Sequence, residues 1–142
     1  MTRLTRRYRF SASHRLHAAP LSEAGNREVY GKCNNPFGHG HNYVLEIGVE
    51  GPVDPGSGRV VNVAALDGLV EREILQTLDR SDLNAEVPEF AVVVPTTENL
   101  ALEIRRRLRA GWAGAFGETG PRLARIRIQE TRRNIFEIME EL

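Results

Sequence analysis

Two segments of the chain alternate between apolar and polar residues, which is the pattern of a strand with one buried face. Residues 7–16 form the first segment and residues 39–50 form the second. Because side chains in a strand point alternately to its two sides, each segment predicts a half-buried strand. The apolar face carries Tyr8, Phe10, Ala12 and His14 in the first segment, and His39, His41, Tyr43, Leu45, Ile47 and Val49 in the second.

The rest of the chain predicts a short strand, two helices and a closing pair of strands. Apolar residues at helical spacing predict a helix over residues 63–78, after a short strand at 59–62. A second helix begins after Thr96 or Thr97, either of which can cap it, and runs to about residue 109. Residues 123–130 and 134–140 predict a hairpin. Residues 18–36 are expected to be a loop with room for one helical turn, and residues 110–121 a loop. Grouped helices between alternating strands favour an α+β fold with an antiparallel sheet.

The composition indicates an ordinary globular domain with no preference for a charged partner. The 142 residues suit a single domain spanning 1–142, with 41% apolar and 27% charged residues. The formal net charge is zero, so we expect no general attraction to nucleic acid or to an anionic membrane. No stretch approaches the roughly 18 consecutive apolar residues of a membrane span. The single cysteine cannot form an intramolecular disulfide, and we expect a soluble, cytoplasmic protein.

Three histidines continue the apolar faces of the first two predicted strands. His14 ends the first face, and His39 and His41 begin the second. If these strands are antiparallel neighbours, the three side chains can meet, and three neutral imidazoles with an open fourth position form a catalytic zinc site. The alternative is that each histidine is a polar residue at a strand end with its hydrogen bonds satisfied. His17 falls off the inward face and is expected to lie in a loop or on the surface.

Cys33, Glu130 and Asp79 are further candidates for a functional site. Cys33 is the only cysteine, and it can be a fourth ligand, a nucleophile or base, or an inert buried thiol. Glu130 ends the apolar face of its strand, so it either pairs with the N–H edge of a flat ligand or lies past the strand end in solvent. Asp79 ends the first helix, where the dipole disfavours a carboxylate, so it either has a specific partner or frays into water.

Six segments resemble one family, the 6-pyruvoyl-tetrahydropterin synthases and their 6-carboxy-tetrahydropterin synthase relatives. They occur in the family's order across nearly the whole chain, and CNNPFGHGHNY is long and specific. The resemblance is closer to the pyruvoyl branch than to the carboxy branch. The segments are FSASHRL (10–16), GKCNNPFGHGHNY (31–43), VDPGSGRVVN (53–62), TLD with LN (77–84), VPTTEN (94–99) and QETRRNI (129–135).

The resemblance implies a fold, a reaction and an assembly. The fold is the tunnelling fold, an antiparallel four-stranded sheet with two helices on one face, whose sheets join into a barrel in a homohexamer of two trimers. The reaction is that of a carbon–oxygen lyase in tetrahydrobiopterin biosynthesis. It converts 7,8-dihydroneopterin triphosphate to 6-pyruvoyl-tetrahydropterin with elimination of triphosphate. Formation of the 6-carboxy product, or cleavage of the pterin side chain, by the same site is the alternative.

The resemblance also implies the roles of individual residues. A zinc ion (Zn2+) is held by His14, His39 and His41 and acidifies bonds in the substrate side chain. Cys33 is the base that removes a proton, as a thiolate. Glu130 anchors the amino-pyrimidine edge of the pterin. The residues expected to line the pocket, partly across a subunit boundary, are Thr96, Thr97 and Glu98.

One position departs from the family pattern. Members of the family usually carry Asp-His after the first helix, where the pair supports proton transfer with the cysteine. This chain carries Asp79 and Arg80. An arginine stays protonated and cannot shuttle a proton, although it can stabilise a thiolate or a leaving phosphate. A pterin-binding module with little turnover is therefore a further hypothesis.

Overall fold

Five strands form one sheet in the computed structural model, which describes residues 1–140 of the chain. The strands are β1 (Thr2–His14), β2 (His39–Gly51), β3 (Ser81–Asp82), β4 (Arg122–Gln129) and β5 (Ile135–Met139), in the spatial order β3-β1-β2-β4-β5. The α+β class is confirmed and the predicted hairpin is present as β4 and β5. The expected count of four strands is wrong, because β3 adds a short parallel strand beside β1.

The strand β3 exists because the chain reverses sharply after its first long helix. Arg80 adopts a left-handed backbone conformation, with φ of 60°. Its N–H donates to the carbonyl of Ser11 across 2.6 Å, which brings the next two residues alongside β1. Two residues are too few to show any alternation, so the sequence pattern could not indicate this strand.

The ladder between β1 and β2 is longer than predicted at its outer end. The register runs without interruption from Thr2 opposite Gly51 to His14 opposite His39. The predicted start at residue 7 is wrong because charged residues hide the alternation in residues 2–6. One of them, Arg3, lies opposite Glu50 and forms a cross-strand ion pair of 2.8 Å with it.

The helices are α1 to α5, with two 3₁₀ turns and one π turn. Residues 63–78 are helical as predicted: α2 (Val63–Val70) continues through a π turn (Glu71–Leu75) into α3 (Gln76–Leu78). The predicted strand at 59–62 is absent, because Val61 is buried in the core and Asn62 caps α2 by accepting from the Ala65 N–H. The other elements are α1 (Glu23–Tyr30), α4 (Leu83–Glu86), α5 (Thr97–Phe116) and the 3₁₀ turns Gly31–Asn34 and Pro88–Ala91.

Residues 18–36 and 110–121 contain more helix than the one turn expected in the first and the loop expected in the second. The helix α1 begins at the cap Ser22 and buries only Asn26, so it shows no apolar period. The helix α5 is capped by Thr96 and continues seven residues past the predicted end at 109, until Gly117 ends it with φ of 72°. Its last turns are held by Trp112, whose indole N–H donates to the Pro121 carbonyl across 2.9 Å.

The hydrophobic core lies between one face of the sheet and the two long helical segments. Both segments therefore cover the same side of the sheet, as expected for two helices on one face. Burying this apolar surface supplies the main driving force for folding. The core residues include Phe10, Tyr43, Leu45, Ile47 and Ile126 from the sheet, Leu66, Leu69 and Val70 from α2, and Leu100, Ile104 and Leu108 from α5.

The opposite face of the sheet is polar and is organised around one carboxylate. Glu46 is only 6% exposed, and its oxygens lie within 3.2 Å of the guanidinium groups of Arg7, Arg125 and Arg127. A buried carboxylate is tolerated when it is paired in this way. Among residues 1–140, no helix has the length and low charge needed to cross a membrane.

Candidate active site

The histidine cluster is a direct consequence of the β1–β2 register. His14 lies opposite His39, and His41 is two residues further along β2, so all three side chains point to the core face of the sheet. One ligating nitrogen from each ring lies within 4.8 Å of the others. Ring centroids are 4.6–5.1 Å apart and the rings are nearly perpendicular. The predicted meeting of the three histidines is therefore observed.

A backbone carbonyl determines which nitrogen of His14 is free. The Nδ1 atom of His14 lies 2.8 Å from the carbonyl oxygen of Pro95, which can only accept a hydrogen bond. The proton of the neutral ring is therefore on Nδ1, and the lone pair of Nε2 is available to a ligand. That Nε2 atom lies 3.1 Å from Nε2 of His39. Metal-binding histidines are oriented by such contacts.

The histidines are more consistent with a metal site than with polar strand-end residues whose hydrogen bonds are satisfied. Burial lowers the pKa of His14, and burial also lowers the pKa of His39 with a further contribution from His41. Neutral imidazoles are the form that binds metal ions. The Nδ1 atom of His39 and the Nε2 atom of His41 are buried without a hydrogen-bond partner in the described part of the chain. The cluster can therefore hold a metal ion, which would satisfy a buried nitrogen that is otherwise unpaired.

Glu130 faces the histidines instead of the solvent. It follows the last residue of β4, yet only 11% of its side chain is exposed. Its Oε1 atom lies 3.4 Å from Nε2 of His41 and 3.7 Å from Nε2 of His14. Its Oε2 atom accepts a hydrogen bond from the Asn134 amide across 3.4 Å. The carboxylate is thus held beside the cluster with acceptor capacity left for a ligand.

Cys33 lies in the 3₁₀ turn after α1, which is tied to the end of β1. The Leu16 N–H donates to the Cys33 carbonyl across 2.8 Å. Burial raises the pKa of the Cys33 thiol, the charge of Glu130 raises it further, and the charge of Lys32 lowers it. The thiol therefore needs additional positive charge nearby before it becomes a thiolate at neutral pH.

One cavity of about 890 Å³ joins these groups. Cys33, His39, His41 and Glu130 all line it. Cavities of this size accommodate small molecules, and the few polar groups that converge on them give specificity. The cavity therefore combines a metal-binding cluster, a thiol and a carboxylate around a space large enough for a substrate.

The family can be assigned by comparison with known proteins. The sequence model of the family described as 6-pyruvoyl tetrahydropterin synthase matches residues 3–141 of the chain. The chain belongs to this family. Relatives called 6-pyruvoyl tetrahydrobiopterin synthase are 48% identical over 132 residues in Poecilia reticulata and 50% identical over 101 residues in Homo sapiens. The first alignment covers 93% of this chain and 86% of the relative, and the second covers 71% and 70%.

The architecture of the 6-pyruvoyl tetrahydropterin synthase family is also observed. The solved structure of the Caenorhabditis elegans 6-pyruvoyl tetrahydropterin synthase superimposes with a TM-score of 0.89 at 38% identity. The superposition covers 99% of this chain and 96% of that protein. The expected likeness to the tunnelling fold is therefore supported within a single chain.

The family residues expected after Pro95 do not line the cavity within one chain. Thr96 caps α5 by accepting from the Asn99 N–H, while Thr97 is only 3% exposed and Glu98 points into solvent. The Pro95 carbonyl, which precedes this segment, contacts His14. The role of these three side chains in binding stays a prediction.

Asp79 and Arg80 also lie apart from the cavity that contains Cys33. Asp79 has a specific partner, because its Oδ1 atom accepts from the Ser11 N–H across 2.9 Å. Both residues line a separate depression with Asn42. Within one chain, Asp79 and Arg80 do not lie with Cys33, as the proton relay expected from the family resemblance would require. The role of this pair in proton transfer stays a prediction.

Sequence reasoning missed two residues that shape the site. Pro95 contributes a backbone carbonyl, which leaves no signature in the residue type. Asn134 reaches Glu130 because the turn between β4 and β5 closes on itself, with the Glu130 N–H donating to the Asn134 carbonyl across 3.0 Å. The only available signal for Asn134 was its position in a predicted hairpin turn directly after Glu130.

Proposed function

We propose that the chain is a zinc-dependent 6-pyruvoyl-tetrahydropterin synthase. It would convert 7,8-dihydroneopterin triphosphate to 6-pyruvoyl-tetrahydropterin and release triphosphate. The observation that carries the proposal is the single cavity bordered by His39, His41, Cys33 and Glu130. Names of relatives at 48% and 50% identity support the same activity.

The residues that would hold zinc are His14, His39 and His41. Their clustered nitrogens fit an ion that prefers three imidazoles and one exchangeable ligand. Bound there, zinc would polarise the side-chain oxygens of the substrate and make the adjacent C–H proton more acidic. The contact from Pro95 keeps the His14 ring in the orientation that this requires.

Glu130 would recognise the pterin ring. Its carboxylate can accept two parallel N–H bonds from the amino-pyrimidine edge, a pairing that is both strong and directional. The hydrogen bond from Asn134 fixes the plane of the carboxylate before the ligand binds. Glu130 and the histidines would act in one site, since the Glu130 carboxylate lies within 3.7 Å of Nε2 of both His14 and His41.

Cys33 would remove the proton from the substrate side chain. Its thiol lines the same cavity as the histidines, and Lys32 favours the thiolate by lowering the pKa. Burial of the thiol keeps it protonated until the positive charge of a bound cation is added. The site would thus develop its base only when it is loaded.

Two substitutions separate these roles. Cys33→Ser keeps the size of the side chain but weakens the base, so we expect kcat to fall about 10²- to 10⁴-fold with KM nearly unchanged. Glu130→Gln removes the charged acceptor, so we expect KM to rise. Triphosphate release under saturating and limiting substrate measures both effects. Equal kcat in Cys33→Ser and wild type would remove Cys33 from the proposed reaction.

A pterin-binding module with little turnover is the second candidate, and Arg80 is the observation that favours it. Arginine cannot relay a proton, and Arg80 lies outside the cavity of its own chain. Arg80→His tests this candidate, since histidine tolerates the left-handed backbone better than most residues. A large gain in rate with unchanged pterin affinity would support the module. A fall in rate would make Arg80 a working part of the enzyme.

We further propose that the chain assembles into a hexamer of two trimers in the cytoplasm. The sheet is open, with β3 and β5 at its edges, and open edges favour pairing with another chain. Ile135 and Met139 on β5 are 45% and 52% exposed, which fits an edge that is covered on assembly. Sedimentation of the purified protein tests the hexamer, and a monomer at micromolar concentration would contradict it.

A further inference from the structure

The segment that follows α3 runs along the edge of β1 that β2 does not cover. The Oδ1 atom of Asp79 accepts from the Ser11 N–H across 2.9 Å, and the Arg80 N–H donates to the Ser11 carbonyl across 2.6 Å. Further along β1, Ser13 pairs with Asp82 of β3. The last residues of β1 are therefore held from both sides, by β2 and by this segment.

The side chain of Asn84 continues this pairing beyond the end of the strand. The helix α4 begins after its cap Asp82, so the backbone can no longer pair with β1 as a strand. The amide of Asn84 takes its place. Its Oδ1 atom accepts from the Arg15 N–H across 2.7 Å, and its Nδ2 atom donates to the Arg15 carbonyl across 2.9 Å. One side chain thus satisfies both backbone polar groups of Arg15, as a neighbouring strand would.

Arg15 directly follows His14, which is the last residue of β1 and is 1% exposed. The Pro95 carbonyl orients the ring of His14 through Nδ1, but this contact does not fix the backbone that carries the ring. Backbone at the end of an element opens more easily than backbone in its middle. The paired hydrogen bonds from Asn84 hold that backbone in place on the side away from β2.

We propose that Asn84 is a positioning residue for the metal site, because it holds the backbone next to His14 and so keeps the Nε2 atom of that ring in the cluster. The proposal rests on the zinc site of the proposed function. Contacts that support a metal ligand typically change metal affinity by about 10- to 100-fold. Since Asn84 acts through the backbone of Arg15 rather than on the ring itself, we expect an effect at the lower end of this range.

The test replaces Asn84 by leucine, which has a similar volume but can form neither hydrogen bond. The matched control is Asn26→Leu, because Asn26 holds the backbone of Ala18 through the same pair of contacts. The Ala18 N–H donates to Oδ1 of Asn26 across 2.7 Å, and Nδ2 of Asn26 donates to the Ala18 carbonyl across 3.1 Å. Asn26 is 0% exposed, so its replacement should cost at least as much stability as that of Asn84.

Competition with a chelator measures zinc affinity in both variants. We expect the affinity to fall about tenfold in Asn84→Leu and to stay at the wild-type value in Asn26→Leu. The Asn84→Ala variant introduces no apolar bulk and carries the same expectation, so it replaces the leucine variant if that protein does not fold.

Two spectroscopic measurements distinguish positioning from a general loss of stability. The visible absorption of bound Co²⁺ depends on the ligands and their geometry, so at saturating Co²⁺ it should change in Asn84→Leu and match wild type in Asn26→Leu. In the metal-free protein, NMR follows the solvent exchange of the His14 Nδ1 proton, which is donated to the Pro95 carbonyl. This exchange should become faster in Asn84→Leu only.

The outcomes separate this proposal from the proposed function. Wild-type zinc affinity and a wild-type cobalt spectrum in Asn84→Leu would overturn the positioning role. Equal losses in Asn26→Leu would also overturn it, because reduced stability would then explain both. If wild type binds zinc but releases no triphosphate, and only the Asn84 variant loses zinc affinity, the positioning role stands and the proposed reaction fails.

A wild-type protein that binds no zinc would refute the proposed function, and the metal-free measurement would then decide the role of Asn84. Faster exchange of the His14 Nδ1 proton in Asn84→Leu alone would support the positioning of His14. The same exchange rate in wild type and Asn84→Leu would overturn it.

Discussion

His14 and His39 face each other across the β1–β2 ladder, and their Nε2 atoms lie 3.1 Å apart. Two neutral rings at this distance share at most one proton between the two Nε2 atoms, and the proton of His14 is on Nδ1, which donates it as a hydrogen bond to the Pro95 carbonyl. The pair therefore presents a lone pair from His14 toward the centre of the cluster.

Replacing His14 should weaken zinc binding, whereas replacing a nearby histidine outside the cluster should not. His14→Ala deletes one of three ligands, so we expect zinc affinity to fall by more than the roughly 10- to 100-fold typical of lost supporting contacts. The matched control is His17→Ala, because His17 contacts Asn34 and lies outside the cluster. Competition with a chelator measures both affinities. Equal zinc affinity in the two variants would contradict the site.

The backbone of Gly38 packs closely against His14, so a larger residue at position 38 should weaken metal binding. Gly38 has φ of +71°, and an added Cβ would lie 3.0 Å from the His14 carbonyl oxygen. Gly38→Ala should therefore reduce stability by more than the roughly 1–2 kcal/mol cost of the left-handed conformation, and it should also weaken zinc binding by shifting His14.

The control for Gly38 is Gly58. Its φ is +72°, and an added Cβ would meet nothing within 4 Å. Gly58→Ala should show only the conformational cost in chemical unfolding, with zinc affinity unchanged. If both variants bind zinc as wild type does, the contact between Gly38 and His14 does not position the cluster.

The reactivity of Cys33 should follow the charges around it. In the metal-free protein, alkylation by iodoacetamide should reach half its maximum rate at a pH above that of an ordinary thiol, because burial and Glu130 raise the pKa. Lys32→Gln should move this midpoint up, and Glu130→Gln should move it down. Mass spectrometry over a pH series measures the midpoints, and identical values in all three proteins would refute this electrostatic account.

The loss of stability at acidic pH should depend partly on Glu103. Burial alone would raise the pKa of Glu103, but hydrogen bonds from Arg106 and Arg107 outweigh it and hold that pKa below the usual value of 4.5. A lowered pKa in the folded state stabilises the protein above the unfolded pKa, and this contribution is lost as the pH falls through the folded pKa.

Glu103→Gln removes this contribution. The free energy of unfolding should therefore differ most from wild type at neutral pH, and the difference should shrink below about pH 4.5. Glu118→Gln is the control, because Glu118 is exposed and forms no salt bridge within residues 1–140. Urea unfolding at several pH values measures the difference, and a difference that does not change with pH would count against the Arg106 and Arg107 contacts.

The histidine cluster was predictable because it depends on local alternation and on one antiparallel pairing. Two strands with apolar faces ending in His14 and beginning with His39 can place those residues together in only one register. Glu130 was predicted to share the inner face of its strand, and it faces the cluster although it lies just past the strand end.

Other features depend on tertiary contacts that leave no periodic signal. The strand β3 has two residues and forms because Arg80 bonds to Ser11. The helix α1 buries only Asn26, so its formation depends on the Ser22 cap and not on an apolar face. Arg132 and Arg133 lie at the cavity because the turn between β4 and β5 closes through the hydrogen bond from the Glu130 N–H to the Asn134 carbonyl, and residue type alone does not indicate this closure.

The most direct test of the account is the product formed from 7,8-dihydroneopterin triphosphate by the zinc-loaded protein. We predict one equivalent of triphosphate per substrate and a product with the mass of 6-pyruvoyl-tetrahydropterin, both abolished by Cys33→Ala. A product with the mass of the 6-carboxy compound or of a side-chain cleavage product would contradict the proposed reaction. So would the absence of triphosphate release from protein that binds both zinc and the substrate.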